Sequence, residues 1–250
     1  MDSSKSNPKF ITVIVPVYNE GSFIVKTMRT VCEVPPYKEV IVVNDGSNDS
    51  TTEQLALVEK EVAIKKPMML KELKLVHHQK NMGKGAAIRT AVKMAKGEIV
   101  LIQDADLELD PTEYPKLLEP FEKLGADVVF GSRFRREGIM RVHHTVHFLG
   151  NKLLTWFSNL CTGFYITDME TCYKVFKREL IQSFPLRSNR FGIEPELTAH
   201  VAKAVRLNNL NFYEIPVSYR PRTYVEGKKI GIRDGLTALL AVVYFNFFER

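Results

Sequence analysis

No run of 18 apolar residues occurs in the 250-residue sequence, so nothing in it reads as a bilayer-spanning helix. The opening MDSSKSNPKF is polar and lacks the apolar stretch of a secretory signal. Cysteine is scarce: Cys32, Cys161 and Cys172 are odd in number and lack C-x-x-C spacing. That pattern argues against a disulfide framework and for reduced thiols in a cytosolic protein. No internal repeat and no low-complexity segment is present. Several catalytic signatures are missing too. Gly83-Lys84-Gly85 is not a P-loop, because position 78 is His and Lys84 is followed by Gly. No G-x-G-x-x-G follows the first predicted strand, which argues against a dinucleotide-dependent dehydrogenase. No G-x-S-x-G offers a hydrolase nucleophile. His77-His78 lacks metal-ligand spacing and reads as structural.

What is present is an α/β pattern. Ile11–Val17, Glu39–Val43, Leu73–His77, Ile99–Ile102 and Asp127–Phe130 read as strands, each separated from the next by a helical stretch. Ser50 and Glu53 form a capping box for one helix, and Asp110-Pro111 opens another. Alternating strands and helices predict a mostly parallel, Rossmann-like sheet, with ligands outside the carboxyl ends of the strands. Four such ends carry polar tips: Tyr18-Asn19-Glu20, Asp45, Asp104/Asp106 and Ser132-Arg133. They are expected to converge on one crevice.

The apolar strand 99–102 ends in Asp104, Asp106, Glu108 and Asp110. In an extended chain Asp104 and Asp106 would project from the same face. Carboxylates that close repel each other, and a hard cation such as Mg2+ or Mn2+ relieves the repulsion. The net charge of +6, from 35 Lys and Arg against 29 Asp and Glu, favours anionic partners. Arg222, Lys228 and Lys229 lie in a loop punctuated by Gly227 and Gly231, suited to closing over phosphates. The inventory fits a nucleotide diphosphate, whose departure a metal at Asp104 and Asp106 would assist. Residues 133–152 are basic, and 146–166 form an aromatic, amphipathic helix; together they suit a membrane interface. The short apolar run 236–248 in the last helix cannot span.

ITVIVPVYNE, VIVVNDGSNDST, NMGKGAAI, IQDAD, GSR, TDMETCYKVFKRE and EGKKIGIRDG together resemble a family 2 glycosyltransferase. Within that family the similarity is to dolichol- and polyprenyl-phosphate sugar synthases, the group that includes dolichol-phosphate mannose synthases. The resemblance implies one GT-A domain over 1–250, with residues 10–133 binding the nucleotide sugar and 134–250 the acceptor. It implies a UDP- or GDP-hexose donor, Mg2+ or Mn2+, inversion at the anomeric carbon, and a polyprenyl-phosphate acceptor at the cytoplasmic face of a membrane. Nucleic acid is not an expected partner. Pro16, Tyr18, Glu20 and Asp45 would hold base and ribose, and Lys84 would lie near the nucleotide. Asp104, Asp106 and Glu108 would hold the metal. Arg133 would meet the acceptor phosphate, and Arg222 and Lys229 the diphosphate.

The acceptor decides whether a base is needed. A phosphate monoester has a second pKa of about 6 and is already anionic at neutral pH. A saccharide hydroxyl, the alternative acceptor, needs a general base. Asp168 is the best-placed carboxylate for that work, with Glu194 next. A sugar-nucleotide-binding protein without turnover is disfavoured by the presence of both Asp104 and Asp106. A nucleotidyltransferase is disfavoured by the missing glycine-rich phosphate loop.

Overall fold

The computed structural model describes residues 10–135, 145–221 and 232–249, and the side chains of 145–147 and 232–234 are not among them. Arg222, Lys228 and Lys229 therefore lie outside the described residues, as do Arg136, Arg141, His143 and His144 of the basic stretch.

The strands are β1 (Ile11–Val17), β2 (Lys38–Asn44), β3 (Leu70–His77), β4 (Ile99–Ile102), β5 (Val128–Ser132), β6 (Lys174–Lys177) and β7 (Phe212–Pro216). They form one seven-stranded sheet in the order β3-β2-β1-β4-β6-β5-β7. β1, β2 and β4 are buried along their whole length, which explains their unbroken Val/Ile/Leu composition. The sheet departs from the simple parallel expectation at β6, which runs antiparallel between β4 and β5. β5 and β7 pair in parallel beyond it.

The helices are α1 (Ile24–Glu33), α2 (Thr51–Lys65), α3 (Lys84–Met94), α4 (Tyr114–Lys123), α5 (Thr145–Thr162), α6 (Arg178–Ser183), α7 (Ile193–Asn208) and α8 (Ile232–Val243), the last continuing into a π turn, Tyr244–Phe248. α1 buries Ile24, Thr27, Met28, Val31 and Cys32, one helical stripe against the sheet. α4 buries Tyr114, Leu117, Leu118 and Phe121 at the same spacing. α7 is buried on every side from Ile193 to Ala202, so it is a core helix.

One local expectation needs correction. Ser50 makes no side-chain cap on α2; Asp49 accepts from the Thr51 amide at 3.0 Å instead, and also from the Gly21 amide at 3.1 Å. A carboxylate at that position serves two loops, which a serine hydroxyl cannot. β7 stops at Pro216, and Tyr219 beyond it forms an isolated bridge with Leu109. The short helix α6 carries too little apolar periodicity to be read from the sequence. The cap at Asp110 is as expected, with the Thr112 amide donating to it at 3.0 Å.

β2 carries two charged residues into the core. Glu39 accepts from Thr12 Oγ1 at 2.6 Å, the Lys96 amide at 2.6 Å and Lys74 Nζ at 3.0 Å. Burial pushes its carboxyl up, but these donors outweigh burial and hold it below its ordinary value. A folded pKa below the unfolded one gives stability that is present above the unfolded pKa and lost as pH falls. Glu39→Gln is expected to cost about 2 kcal/mol at pH 7 in urea unfolding. The gap to wild type should close as pH drops below about 4.5, the carboxyl's ordinary value.

Candidate active site

The carboxyl ends of β1, β2, β4 and β5 lie along one edge of the sheet. The first two are stitched together: the Asn19 amide donates to Ser47 Oγ at 3.0 Å, and Asn19 Nδ2 donates to Asn48 Oδ1 at 2.7 Å. The Glu20 amide donates to Thr51 Oγ1 at 2.9 Å. Pro16 lies within β1, paired with Val43, and Tyr18 and Glu20 follow on the loop. Asp45, next on β2, is buried and already engaged. It accepts from the Met82 and Gly83 amides at 2.9 and 2.6 Å and from His78 Nδ1 at 2.7 Å. It therefore pins the loop that leads into α3, and His78 has the structural place expected of it.

Lys84 is the first residue of α3. Its ammonium lies between Asp104 Oδ1 at 2.9 Å and Glu194 Oε1 at 2.8 Å. Burial opposes its charge, but Asp104, with help from Glu194, keeps it raised well above the ordinary lysine value. The flanking glycines have a packing cause. Gly83 has φ +100°, and a Cβ there would stand 2.2 Å from the Asn189 carbonyl; one at Gly85 would stand 2.3 Å from that of Ser188. The turn is thus seated against the 188–190 loop, and Arg89 binds the Ser188 carbonyl at 3.1 Å from the same side.

Beyond Ile102 the chain is not extended, so the strand-like projection of Asp104 and Asp106 does not hold. Gln103 is fully buried. Its Nε2 donates to the Asp104 carbonyl at 2.9 Å, and its Oε1 accepts from Tyr114 and Tyr173, both at 2.8 Å. Thr27 Oγ1 holds the Ala105 carbonyl at 2.8 Å, and Leu107 takes φ +59°. The result is a turn, in which the Glu108 amide donates to Asp106 Oδ1 at 3.1 Å. Tyr219 donates to Glu108 Oε2 at 2.9 Å. Asp104 and Asp106 are both half-buried. Burial opposes ionisation of Asp104, but Lys84 holds it below the usual carboxylate value.

Arg133 follows β5 and meets Asp168 through two side-chain bonds, Nε to Oδ2 at 2.7 Å and Nη2 to Oδ1 at 2.8 Å. The Arg133 amide adds a third at 2.9 Å. Asp168 has no solvent exposure. Burial opposes its charge, yet the guanidinium holds it below its ordinary value. Glu214 of β7 fixes the same segment, accepting from the Thr167 amide at 2.7 Å and Thr167 Oγ1 at 2.9 Å. The Arg133 guanidinium also stacks 5.1 Å from the Tyr219 ring, so a chain of contacts runs from Asp168 to Glu108.

Gln103, Glu170 and Tyr219 do not stand out in the sequence as site residues. Glu170 is half-buried, with a buried Oε1 that has no hydrogen-bond partner. Burial first, and the Glu194 charge second, push its carboxyl up to about 8. Its neighbour Lys174 is lowered by burial to about 8 and donates to the Met169 carbonyl at 2.7 Å. The available signal is Glu170 itself, an acid two residues from Asp168 beside an apolar strand.

A mostly parallel α/β sheet with half-buried aspartates at its carboxyl edge, and a guanidinium clamped by a buried carboxylate beside them, is the frame of a GT-A glycosyltransferase. Residues 12–184 match the family described as glycosyl transferase family 2, and the chain belongs to that family. It is 31% identical over 231 residues to a dolichyl-phosphate beta-glucosyltransferase from Trichomonas vaginalis, covering 84% of this chain and 64% of that protein. It is 25% identical over 244 residues to a dodecaprenyl-phosphate galacturonate synthase from Rhizobium johnstonii, covering 96% of this chain and 67% of that protein. The fold is similar to that of glucosyl-3-phosphoglycerate synthase from Mycobacterium tuberculosis, solved with Mn2+, UDP and glucosyl-3-phosphoglycerate. The TM-score is 0.67 at 17% identity, over 97% of this chain and 81% of that one.

The raised carboxyl of Glu170 has a consequence for stability. Its folded pKa lies above the unfolded one, so its contribution is full at low pH and is lost as pH rises from about 4.5 to about 8. Glu170→Gln is expected to remove this slope, about 1 kcal/mol per pH unit. Urea unfolding at a series of pH values between those limits checks it.

Proposed function

We propose that the protein transfers a hexose from a UDP- or GDP-sugar to a polyprenyl phosphate, with inversion at the anomeric carbon. The observation that carries the acceptor assignment is the state of Asp168. A general base needs a pKa near the working pH and reach to the proton it removes. Asp168 is held below its ordinary value, with both oxygens on Arg133. Glu194 is paired with Lys84. A lipid phosphate needs neither as a base, because it is already anionic. It needs a positioned cation, and the clamp on Arg133 prepares one. This favours the lipid-phosphate reading over transfer to a saccharide hydroxyl.

Asp104 and Asp106 supply the oxygen donors that a hard divalent cation prefers, on a turn fixed by Gln103 and Thr27. They fit Mg2+ or Mn2+, with Glu108 as the third candidate ligand. Such an ion, when bound, supplies Lewis-acid stabilisation of the departing nucleoside diphosphate. In this reading Pro16, Tyr18, Glu20 and Asp45 frame the nucleoside. Lys84 lies near the nucleotide, where it neutralises Asp104 and keeps the turn in place. Arg133 orients the acceptor phosphate towards the anomeric carbon; one phosphate oxygen bonds to that carbon as the bond to the diphosphate breaks. Arg222, Lys228 and Lys229 are proposed to meet the diphosphate.

Peripheral membrane attachment is part of the same reading. Among the described residues no helix is long and apolar enough to cross a bilayer. α5 exposes Leu149, Leu153, Trp156 and Leu160 at 52%, 65%, 60% and 62% of their surface, one stripe of the helix. α8 packs against α5 and, with the π turn, exposes Leu236, Leu240, Tyr244 and Phe247. A two-helix face of eight large apolar side chains supports an interfacial position, where a polyprenyl chain stays in lipid while its phosphate reaches Arg133.

The direct test incubates the protein with Mn2+, radiolabelled UDP- or GDP-hexoses and polyprenyl phosphate in vesicles, and reads lipid-linked label. Label is expected with one donor class and is expected to fall about 100-fold or more in Asp106→Asn. No lipid-linked label with any of these donors overturns the proposal. Asp168→Asn is expected to raise the KM for the lipid phosphate more than it lowers kcat, without removing an acidic limb from the pH profile. A collapse of kcat by about 100-fold or more, with loss of that limb, would identify Asp168 as the base instead. Leu153→Asp/Trp156→Asp is expected to abolish sedimentation with vesicles while leaving the fold intact by circular dichroism.

A further inference from the structure

A second cluster of ligating side chains lies apart from the Asp104–Asp106 turn and shares no residue with it. Glu196 and His200 sit one turn apart on α7, and Glu249 reaches them from the end of the π turn. One ligand atom from each of the three lies within 4.8 Å of the others, and all three residues are buried. His200 Nε2 is 3.5 Å from Glu249 Oε2 and 3.8 Å from Glu196 Oε1. These separations are too long for hydrogen bonds. His200 Nε2 and both carboxylate oxygens of Glu249 have no hydrogen-bond partner. Two of these atoms, His200 Nε2 and Glu249 Oε2, face each other in a buried place, which is costly unless something joins them.

We propose that Glu196, His200 and Glu249 form a binding site for a divalent transition-metal ion, Zn2+ by its chemistry. Ligands 2.0–2.1 Å from a tetrahedral zinc stand about 3.4 Å from one another, close to the spacing found here. One imidazole and two carboxylates form a mixed N/O set that selects Zn2+ over Mg2+ or Ca2+, and three protein ligands leave the fourth position to water. The ligands are also oriented from outside. Glu196 accepts from the Arg187 and Ser188 amides at 2.5 and 2.8 Å. The His200 ring stacks on Phe184 at 5.2 Å. The last bond of the π turn, Glu249 amide to Tyr244 carbonyl at 3.1 Å, swings residue 249 onto α7, where Lys203 Nζ holds its carbonyl at 2.9 Å. Arg187 Nε approaches Glu249 Oε1 at 3.3 Å from the exposed side and offsets part of the charge. The ion would clasp the C-terminal turn to α7 and to the 187–190 loop, on which the Lys84 turn is seated.

The test uses the full chain carrying Asp104→Asn/Asp106→Asn, which removes the donor-side carboxylates, with Co2+ and Zn2+ alone as probes. One equivalent of Co2+ is expected to give the visible bands of a tetrahedral site, which Zn2+ displaces, and Zn2+ is expected to raise Tm. His200→Ala and Glu249→Gln in that background are each expected to weaken binding by more than about tenfold and to abolish the rise in Tm. Absence of tetrahedral Co2+ bands in the parent overturns the proposal, as does metal binding that both variants leave unchanged. Should His200→Ala fail to fold, Glu249→Gln and the parent spectrum decide between the two outcomes.

Discussion

The Lys84 ammonium is the point on which the site depends. It joins the start of α3, the exit of β4 and the start of α7 through Asp104 and Glu194. Without it, half-buried Asp104 and buried Glu194 would repel each other, and the pKa of one would rise. With it, Asp104 stays ionised at the mouth of the crevice. The same side chain can sit there because two glycines let its turn lie flat against the 188–190 loop. Backbone packing and charge balance are one device here, and neither survives loss of the other.

A second balance has the same form. Asp168 holds Arg133, Glu214 holds the segment carrying Asp168, and Arg135 binds the Glu214 carbonyl at 2.5 Å. A buried guanidinium without its carboxylate is costly, so this arrangement ties the stability of the β5–β7 side to the readiness of the site. Glu170 takes up a proton instead of finding a cation of its own. The carboxyl edge of the sheet thus mixes fixed ion pairs with one acid whose carboxyl is raised by burial.

Much of this was readable in the chain. The strands β1 and β4 and the converging polar tips follow from apolar runs ending in polar residues, because burial and sheet edges impose that pattern directly. Asp104 and Asp106 follow β4, Lys84 pairs with Asp104, and Arg133 follows β5 and pairs with Asp168. What the sequence hid is long-range pairing. Nothing local says that Asp45 holds the 78–83 loop, that Asp168 belongs to Arg133 rather than to a substrate proton, or that Gln103 anchors two tyrosines from distant elements. The direction of β6 depends on partners 44 to 78 residues away in the chain. Glu196, His200 and Glu249 are silent for the same reason, since 48 intervening residues separate the last two.

The reversed direction of β6 bears on how such a protein can change. A strand that runs against its neighbours begins at the edge where they finish. The segment just before it, residues 167–173, follows α5 and lies at that edge of the sheet, and it carries Asp168, Glu170 and Cys172. The β1–β4 part of the sheet is complete before that segment arrives. In the reading proposed above, the residues offered to an incoming acceptor can therefore change in this one segment while β1, β2 and β4 keep their register. That separation of a variable edge from a constant frame is what one antiparallel strand confers.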